Sequence, residues 1–172
     1  MKLIWAPWRM EYIKQSSKLK GKSASGGLKA KDCFICQGLK GNRVKNLILY
    51  ANSYALVMLN RYPYNNGHLM VAPVRHVGEI EKLVPEERDA VFELVQKSVK
   101  ILKKLMRPDG FNIGANLGRY AGAGLPGHFH IHIVPRWVGD VNFFPLLAET
   151  KVVCESLPIT YKKLKPFFNT NV

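Results

Sequence analysis

The heptapeptide His128-Phe129-His130-Ile131-His132-Ile133-Val134 constrains this chain more than any other stretch. Its period of two is that of a β-strand, with His128, His130 and His132 on one face and Phe129, Ile131 and Ile133 on the other. A row of three imidazoles is costly to bury as ordinary core, because every ring carries two polar nitrogens. Histidine titrates near neutrality and serves as nucleophile, acid, base or metal ligand. Only five histidines occur in the chain. Three of them standing here at spacing two argues against a surface strand with chance histidines.

A length of 172 residues fits one domain, and 47% hydrophobic residues can supply its core. The net charge of +14 points to a polyanionic partner: nucleic acid, an anionic membrane surface or a polyphosphate. It also fits a lysine-rich surface that serves solubility alone. No stretch approaches the roughly 20 apolar residues of a membrane span. The N-terminus, with Trp5-Ala6-Pro7-Trp8-Arg9 followed by Glu11 and Lys14, lacks the pattern of a secretion signal. A cytoplasmic protein is therefore expected. In that compartment Cys33 and Cys36 read as metal ligands or redox groups rather than as a structural disulfide.

Taken in order, residues 1–14 form an aromatic arm with Trp5, Trp8 and Tyr12, expected to pack against something such as a partner subunit. Residues 15–31 are rich in Lys, Ser and Gly and read as a flexible basic loop. Cys33-Phe34-Ile35-Cys36 has metal-ligand spacing. Zinc takes about four nitrogen or sulfur ligands, and His76 and His128 are available to complete a set with Cys33 and Cys36. Strands are expected at 46–50, 53–60 and 68–73, with a turn-rich loop from Arg61 to Gly67. Residues 85–106 read as one long helix, with Pro85 in its first turn and Glu86, Glu87 and Asp89 at its positive end. Val91, Leu94, Val95, Leu102 and Leu105 form its apolar stripe, and Arg107-Pro108-Asp109-Gly110 ends it. A strand at 111–117 leads into a loop carrying Gly118, Gly122, Gly124 and Gly127, whose backbone amides could approach an anion. No lysine-serine pair follows, so this is no P-loop. Residues 157–168 read as a terminal amphipathic helix, with Pro158 at its start and a stop near Pro166.

The triad stretch resembles the motif of the histidine triad superfamily, whose members are nucleotide hydrolases and nucleotidyl transferases. The resemblance extends over Asn60-Arg61-Tyr62-Pro63, Gly67 to Pro73, the glycine loop and Pro135-Arg136-Trp137, and covers nearly everything from Cys33 to Trp137. With Trp5-Ala6-Pro7-Trp8-Arg9 it is similar to the diadenosine tetraphosphate phosphorylase and ATP adenylyltransferase subgroup. The resemblance implies an α+β fold: an antiparallel sheet, one long helix and a short C-terminal helix, with the sheet continued across a homodimer. It implies one domain over 1–172, made of an arm and loop (1–32), a core (33–137) and a C-terminal extension (138–172). It also implies a structural zinc on Cys33, Cys36, His76 and His128.

For the reaction, the resemblance implies attack by His130 on the α-phosphorus of a nucleotide substrate, giving a nucleotidyl-histidine intermediate. The other ring nitrogen of His130 is then expected to donate to a backbone carbonyl. His132 and His128 complete the catalytic set. Asn60 is placed on the ribose, His68 beside the triad, and Asn116, Gly124, Leu125 and His132 near the phosphates. Many members have Gln then Ser or Thr where this chain has Gly124 and Leu125, so those side-chain contacts are absent here. A dinucleoside polyphosphate such as diadenosine tetraphosphate is the expected substrate, with phosphate or water as acceptor. The alternatives are a phosphoramidase of the same family, a hydrolase with catalytic zinc, or a non-enzymatic nucleotide- or nucleic-acid-binding module. Nucleic acid is disfavoured because no ordered RNA-binding motif or stacking platform is visible. His132 disfavours the uridylyltransferase branch, which usually has glutamine there.

Overall fold

A computed structural model describes residues 29–140 and 155–169. The aromatic arm over 1–14, nearly all of the basic loop at 15–31, and residues 141–154 lie outside the described residues. Among the described residues, five strands form one antiparallel sheet: β1 (Ile48–Ala51), β2 (Ala55–Leu59), β3 (Leu69–Pro73), β4 (Gly110–Gly114) and β5 (Ile131–Arg136), in the order β1-β2-β3-β5-β4. Three α-helices among the described residues accompany it: α1 (Phe34–Lys40), α2 (Pro85–Met106) and α3 (Leu157–Phe168). The expected α+β class holds. None of these helices is long and apolar enough to cross a membrane.

The two faces of the sheet divide the work. Val57 and Leu59 on β2, Leu69 and Val71 on β3, and Ile131 and Ile133 on β5 pack against Val91, Leu94, Ile101 and Leu102 of α2 and Leu164 and Phe168 of α3. Leu56, Met58, Met70 and Ala72 face the other way, toward Cys33, Ile35, Cys36 and Leu125. β2 and β3 are therefore buried on both faces, which is why they read as unbroken apolar runs rather than as alternation. His132 lies on β5 between Met70 of β3 and Gly114 of β4. Period two then puts its side chain on the face away from the long helix.

Several expectations change in detail. The strand begins at Ile131, so His128 and His130 stand on an extended approach to it rather than within its ladder. Here the backbone pairs with loops: the Phe129 N–H donates to the Val77 carbonyl at 2.7 Å. Helix α1 has no counterpart among the expected elements. It is seven residues long, too short for periodicity to declare it, and its Ile35, Cys36 and Gly38 are buried against the sheet. Helix α3 runs through Pro166 to Phe168 instead of stopping there. Phe168 is fully buried, and its carbonyl accepts from Lys97 Nζ at 3.1 Å. A proline so near the C-terminal end interrupts little of the ladder.

Residues after β3 are fixed by an ion pair. Arg75 Nε and Nη2 donate to the two Glu87 carboxylate oxygens, each at 2.7 Å. Glu87 Oε2 also accepts the Val84 N–H at 3.1 Å, capping α2. The guanidinium holds the Glu87 carboxyl below its ordinary range. This clamp ties the loop that carries His76 to the start of α2.

Candidate active site and metal centre

The sheet face opposite α2 gathers the histidines, and each ring's protonation can be read from its partners. His130 Nδ1 lies 2.8 Å from the His128 carbonyl oxygen. A carbonyl only accepts, so Nδ1 carries the proton and Nε2 holds the free lone pair. His128 Nε2 lies 2.8 Å from the Pro73 carbonyl, so here Nε2 carries the proton and Nδ1 is free. His68 Nδ1 accepts the Tyr64 N–H at 3.0 Å, with Asn60 Nδ2 3.4 Å away. The proton of His68 is therefore on Nε2, which donates to His132 Nδ1 at 3.0 Å. By elimination His132 carries its own proton on Nε2. Two imidazoles 4.8 Å apart thus offer complementary groups, a lone pair on His130 and an N–H on His132.

These hydrogen bonds explain how the fold buries rings that are costly to bury. His68 and His128 are fully buried and His130 is 6% exposed, yet each has a partner. Burial lowers the His130 pKa, opposed by the bond to the His128 carbonyl. Burial, helped by neighbouring His130, pushes His132 down from 6.5 to about 4. Both rings are consequently neutral at physiological pH. The Tyr64 ring covers the His68–His132 pair, with centroids 4.7 and 5.7 Å from the two imidazoles.

Cys33, Cys36, His76 and His128 come together from α1 and its approach, the loop after β3 and the start of the triad. Their four donor atoms all lie within 4.8 Å of one another. Cys33 Sγ is 3.3 Å from His128 Nδ1, and Cys36 Sγ is 3.3 Å from His76 Nδ1 and 3.5 Å from His128 Nδ1. Around a tetrahedral zinc, sulfur and nitrogen donors stand about 3.6 Å apart. The donor chemistry fits as well. Burial pushes His128 down to about 4, leaving a neutral imidazole whose Nδ1 lone pair points into the cluster. Burial and the adjacent Cys33 push the Cys36 thiol up to about 11, and a bound cation is the group that would deprotonate it. These four residues could hold a metal ion.

A cavity of about 280 Å³ opens on the same face, lined by Phe34, Gln37, Asn46, Met58, Asn60 and Met70 among others. Its floor adjoins the triad, because Met70 is the β3 neighbour of His132. Asn60 is well placed at its rim: its Oδ1 accepts the Tyr62 N–H at 2.9 Å and its backbone N–H donates to the His68 carbonyl. In the glycine loop, Asn116 Nδ2 donates to the Gly122 carbonyl at 3.3 Å. Gly124 is open to solvent, with nothing near the position of a Cβ. The Leu125 side chain is turned inward, packed in the cluster with both cysteines, so only its backbone is available to a ligand. The structure thus brings the triad, His68, Asn60 and the metal set onto one face.

The sequence reading missed Phe34, Gln37, Asn46 and Tyr64. Ile35 and Leu39 are one helical turn apart with Gly41 beyond, and that pair was the available signal for α1. Nothing local marks Tyr64.

Comparison with known proteins agrees with this geometry. Residues 42–138 match the family model described as the HIT domain. Over 161 residues the chain is 36% identical to the AP-4-A phosphorylase of Mycobacterium tuberculosis (strain ATCC 25618 / H37Rv), spanning 94% of this chain and 81% of that protein. It is 32% identical over 99 residues to the asymmetrical Bis(5'-nucleosyl)-tetraphosphatase of Schizosaccharomyces pombe, spanning 58% of this chain and 54% of that one. Its fold is similar to that of a Zn-bound histidine triad family protein from Mycobacterium smegmatis, with a TM-score of 0.63 at 22% identity over 81% of this chain and 95% of that one. The family match takes in the whole sheet, the long helix and every triad histidine: this chain belongs to the HIT-domain family.

Proposed function

We infer that this chain is an enzyme that cleaves dinucleoside polyphosphates at the α-phosphate through a nucleotidyl-His130 intermediate. The observation that carries the reading is the fixed protonation of the pair: an unprotonated Nε2 on His130 beside a protonated Nε2 on His132. In the first step the His130 Nε2 lone pair bonds to the α-phosphorus. The bond from phosphorus to the bridging oxygen breaks, and the nucleoside polyphosphate departs with the bonding electrons. His132 Nε2–H donates to the departing or phosphoryl oxygen, and amides of the glycine loop face the charge that develops. In the second step an oxygen of orthophosphate or water bonds to the same phosphorus and the P–N bond breaks, restoring His130. Orthophosphate would yield a nucleoside diphosphate, water a monophosphate.

Several features support placing the substrate. The cavity of about 280 Å³ beside His132, with Phe34, Leu47, Met58 and Met70 as apolar walls and Gln37, Asn46 and Arg61 as polar ones, would take the nucleoside, Asn60 would hold the ribose, and His68 would set the orientation of His132. Asn116 and the amides of Gly124 and Leu125 would lie along the phosphates. The bacterial and yeast relatives are named for action on such substrates. Cys33, Cys36, His76 and His128 would hold a zinc ion as a structural cross-link with no open position for chemistry. The edge strand β4, whose Ile113 is 48% exposed, is where an expected homodimer would continue the sheet. The domain is read as one unit over 1–172, working in the cytoplasm.

Product analysis tests this reading. Diadenosine tetraphosphate is expected to give ADP plus ATP in the presence of orthophosphate. AMP plus ATP regardless of phosphate would identify water as the acceptor instead. Absence of any cleavage, with turnover of adenosine phosphoramidate, would overturn the substrate assignment.

The pH dependence follows from the pair: His130 must keep its attacking lone pair, and burial lowers its pKa, while His132 must stay neutral for its Nδ1 to accept the His68 N–H. The folded pKa of His132, about 4, lies below the ordinary 6.5, so its neutral form is retained as pH falls through 6.5. The acid limb of kcat/KM is expected below about pH 6, where a solvent-exposed histidine would already be charged. The sign for stability is the reverse of a salt-bridged histidine. Between 6.5 and about 4 the unfolded chain binds a proton the folded chain refuses, so stability falls as pH falls through this window and is unaffected above it. Rates measured with melting followed in parallel separate the two effects. An acid limb centred at 6.5 would contradict this prediction.

A further inference from the structure

We propose that Asn65 is a positioning residue for the transfer chemistry: it pins the turn before β3 to the exit of β5, so that the Tyr64 N–H decides which nitrogen of His68, and through it of His132, carries a proton. This deepens the reading of His130 and His132 above and rests on it. Asn65 is buried, and its Nδ2 donates to the Pro135 carbonyl at 3.0 Å and to Asp140 Oδ2 at 2.7 Å. Both hydrogens of the carboxamide are thereby spent. Its backbone carbonyl accepts the His68 N–H at 3.2 Å, and its Oδ1 accepts the Asn66 N–H at 3.1 Å. β3 pairs with β5 no further than Leu69 and Ile133, and Asn65 takes over beyond that point, at Pro135. Asp140 is itself fixed. Arg136 Nε and Nη2 donate to its two oxygens at 2.7 Å each, and the Trp137 N–H donates to Oδ2 at 3.1 Å. The guanidinium holds this carboxyl well below the usual carboxylate range, so it remains an acceptor for Asn65. Asn60 closes the turn at its base, through its N–H on the His68 carbonyl, and leaves the placement of Tyr64 to its neighbour Asn65.

The consequence is chemical. His68 Nε2 and His132 Nδ1 share one hydrogen bond at 3.0 Å, and its proton can belong to either ring. Each neutral ring holds one proton. With the shared proton on His68, the His68 Nδ1 is bare and His132 carries its proton on Nε2, ready to donate to a departing oxygen. With the shared proton on His132, the His68 Nδ1 is protonated and His132 Nε2 is a lone pair that donates nothing. The Tyr64 N–H stands 3.0 Å from His68 Nδ1 and can only donate, so it excludes the second arrangement. Without the Asn65 anchor Tyr64 is released and both arrangements are populated. Neither Asn65 nor Asp140 lines the cavity that would take the nucleoside, so the loss falls on the chemical step rather than on binding.

Turnover of diadenosine tetraphosphate and the ring ¹⁵N shifts of His68 and His132 are measured on the metal-loaded full chain, on Asn65→Ala and on Asp140→Asn, with melting followed in parallel. Tyr161→Phe removes a buried hydrogen bond to the Ile48 carbonyl, from the α2 side of the sheet, and controls for destabilisation alone. The unsubstituted protein should show a bare Nδ1 and a protonated Nε2 on His68. Asn65→Ala should lower kcat about 10- to 100-fold with KM within about twofold, and its His68 shifts should move toward an average of the two tautomers. Asp140→Asn should move both readouts the same way by less, and it decides the matter if Asn65→Ala does not fold. Tyr161→Phe should melt lower with kcat and shifts unchanged. A single His68 tautomer kept in the variants, a loss confined to KM, or an equal kcat loss in Tyr161→Phe would overturn the proposal. Absence of turnover in the unsubstituted protein would fail the reaction reading instead, and the ring shifts alone would still support or overturn the Asn65 anchor.

Discussion

His130→Ala is expected to lower turnover of diadenosine tetraphosphate by roughly 10⁴-fold or more, because it removes the atom that bonds to phosphorus. The size of the loss separates a nucleophile from a residue that merely orients substrate. A positioning residue such as His68 acts through His132 and should cost about one to three orders of magnitude less. The substitution must not be mistaken for unfolding. His130 is nearly buried and donates to the His128 carbonyl, so its loss leaves a small void and an unpaired acceptor, worth about 1–3 kcal/mol. A melting curve shifted by several degrees with nucleotide binding intact would accompany the predicted loss. Turnover near the wild-type rate in a folded His130→Ala protein would end the mechanism.

Removal of metal, or Cys33→Ser, is expected to act on stability first. The four donors come from three segments of the chain: α1 and its approach, which wall the cavity, the loop after β3, which carries His76, and the start of the triad, where His128 offers its carbonyl to His130. Without a cation, two thiols and two imidazoles remain in a mostly buried cluster, and only the packing of Ile35, Cys36 and Gly38 against the sheet holds α1 in place. A melting temperature lower by about 10 °C is expected, measured by calorimetry alongside metal content. Turnover by the stripped protein should persist below that lowered transition. Loss of the metal in full stoichiometry without a change in melting would contradict a structural role. Loss of the first chemical step in a stripped but folded protein would favour a catalytic metal instead.

The sequence was legible where a pattern is local and repeated. The period of two at His128–Val134 announced both the strand and its chemical face, although the ladder starts only at Ile131. The long helix was legible from its stripe and its stop signals, and its bounds agree with the structure. The candidate metal set had long gaps between ligands, so spacing alone could not assemble it, and a family likeness supplied His76. Leu125 was expected near phosphate with no side-chain contact there, and its side chain packs inward beside the cysteines. What remained hidden depends on tertiary contacts. Helix α1 owes its place to burial of Ile35 and Cys36 rather than to its own seven residues. Tyr64 matters through a backbone N–H and a ring position that no spacing encodes. The polar tips of Gln37 and Asn46 acquire a direction only once Lys31 and Asn42 are seen to hold their amide nitrogens.

The most direct test of the mechanism is to quench turnover of diadenosine tetraphosphate in alkaline denaturant, which preserves the acid-labile P–N bond, and to weigh the protein and its peptides. The account predicts an adenylyl adduct on the peptide containing His130, formed without orthophosphate and discharged to ADP when orthophosphate is added. An enzyme that turns over with no adduct under these conditions, or an adduct that persists in His130→Ala, would contradict it.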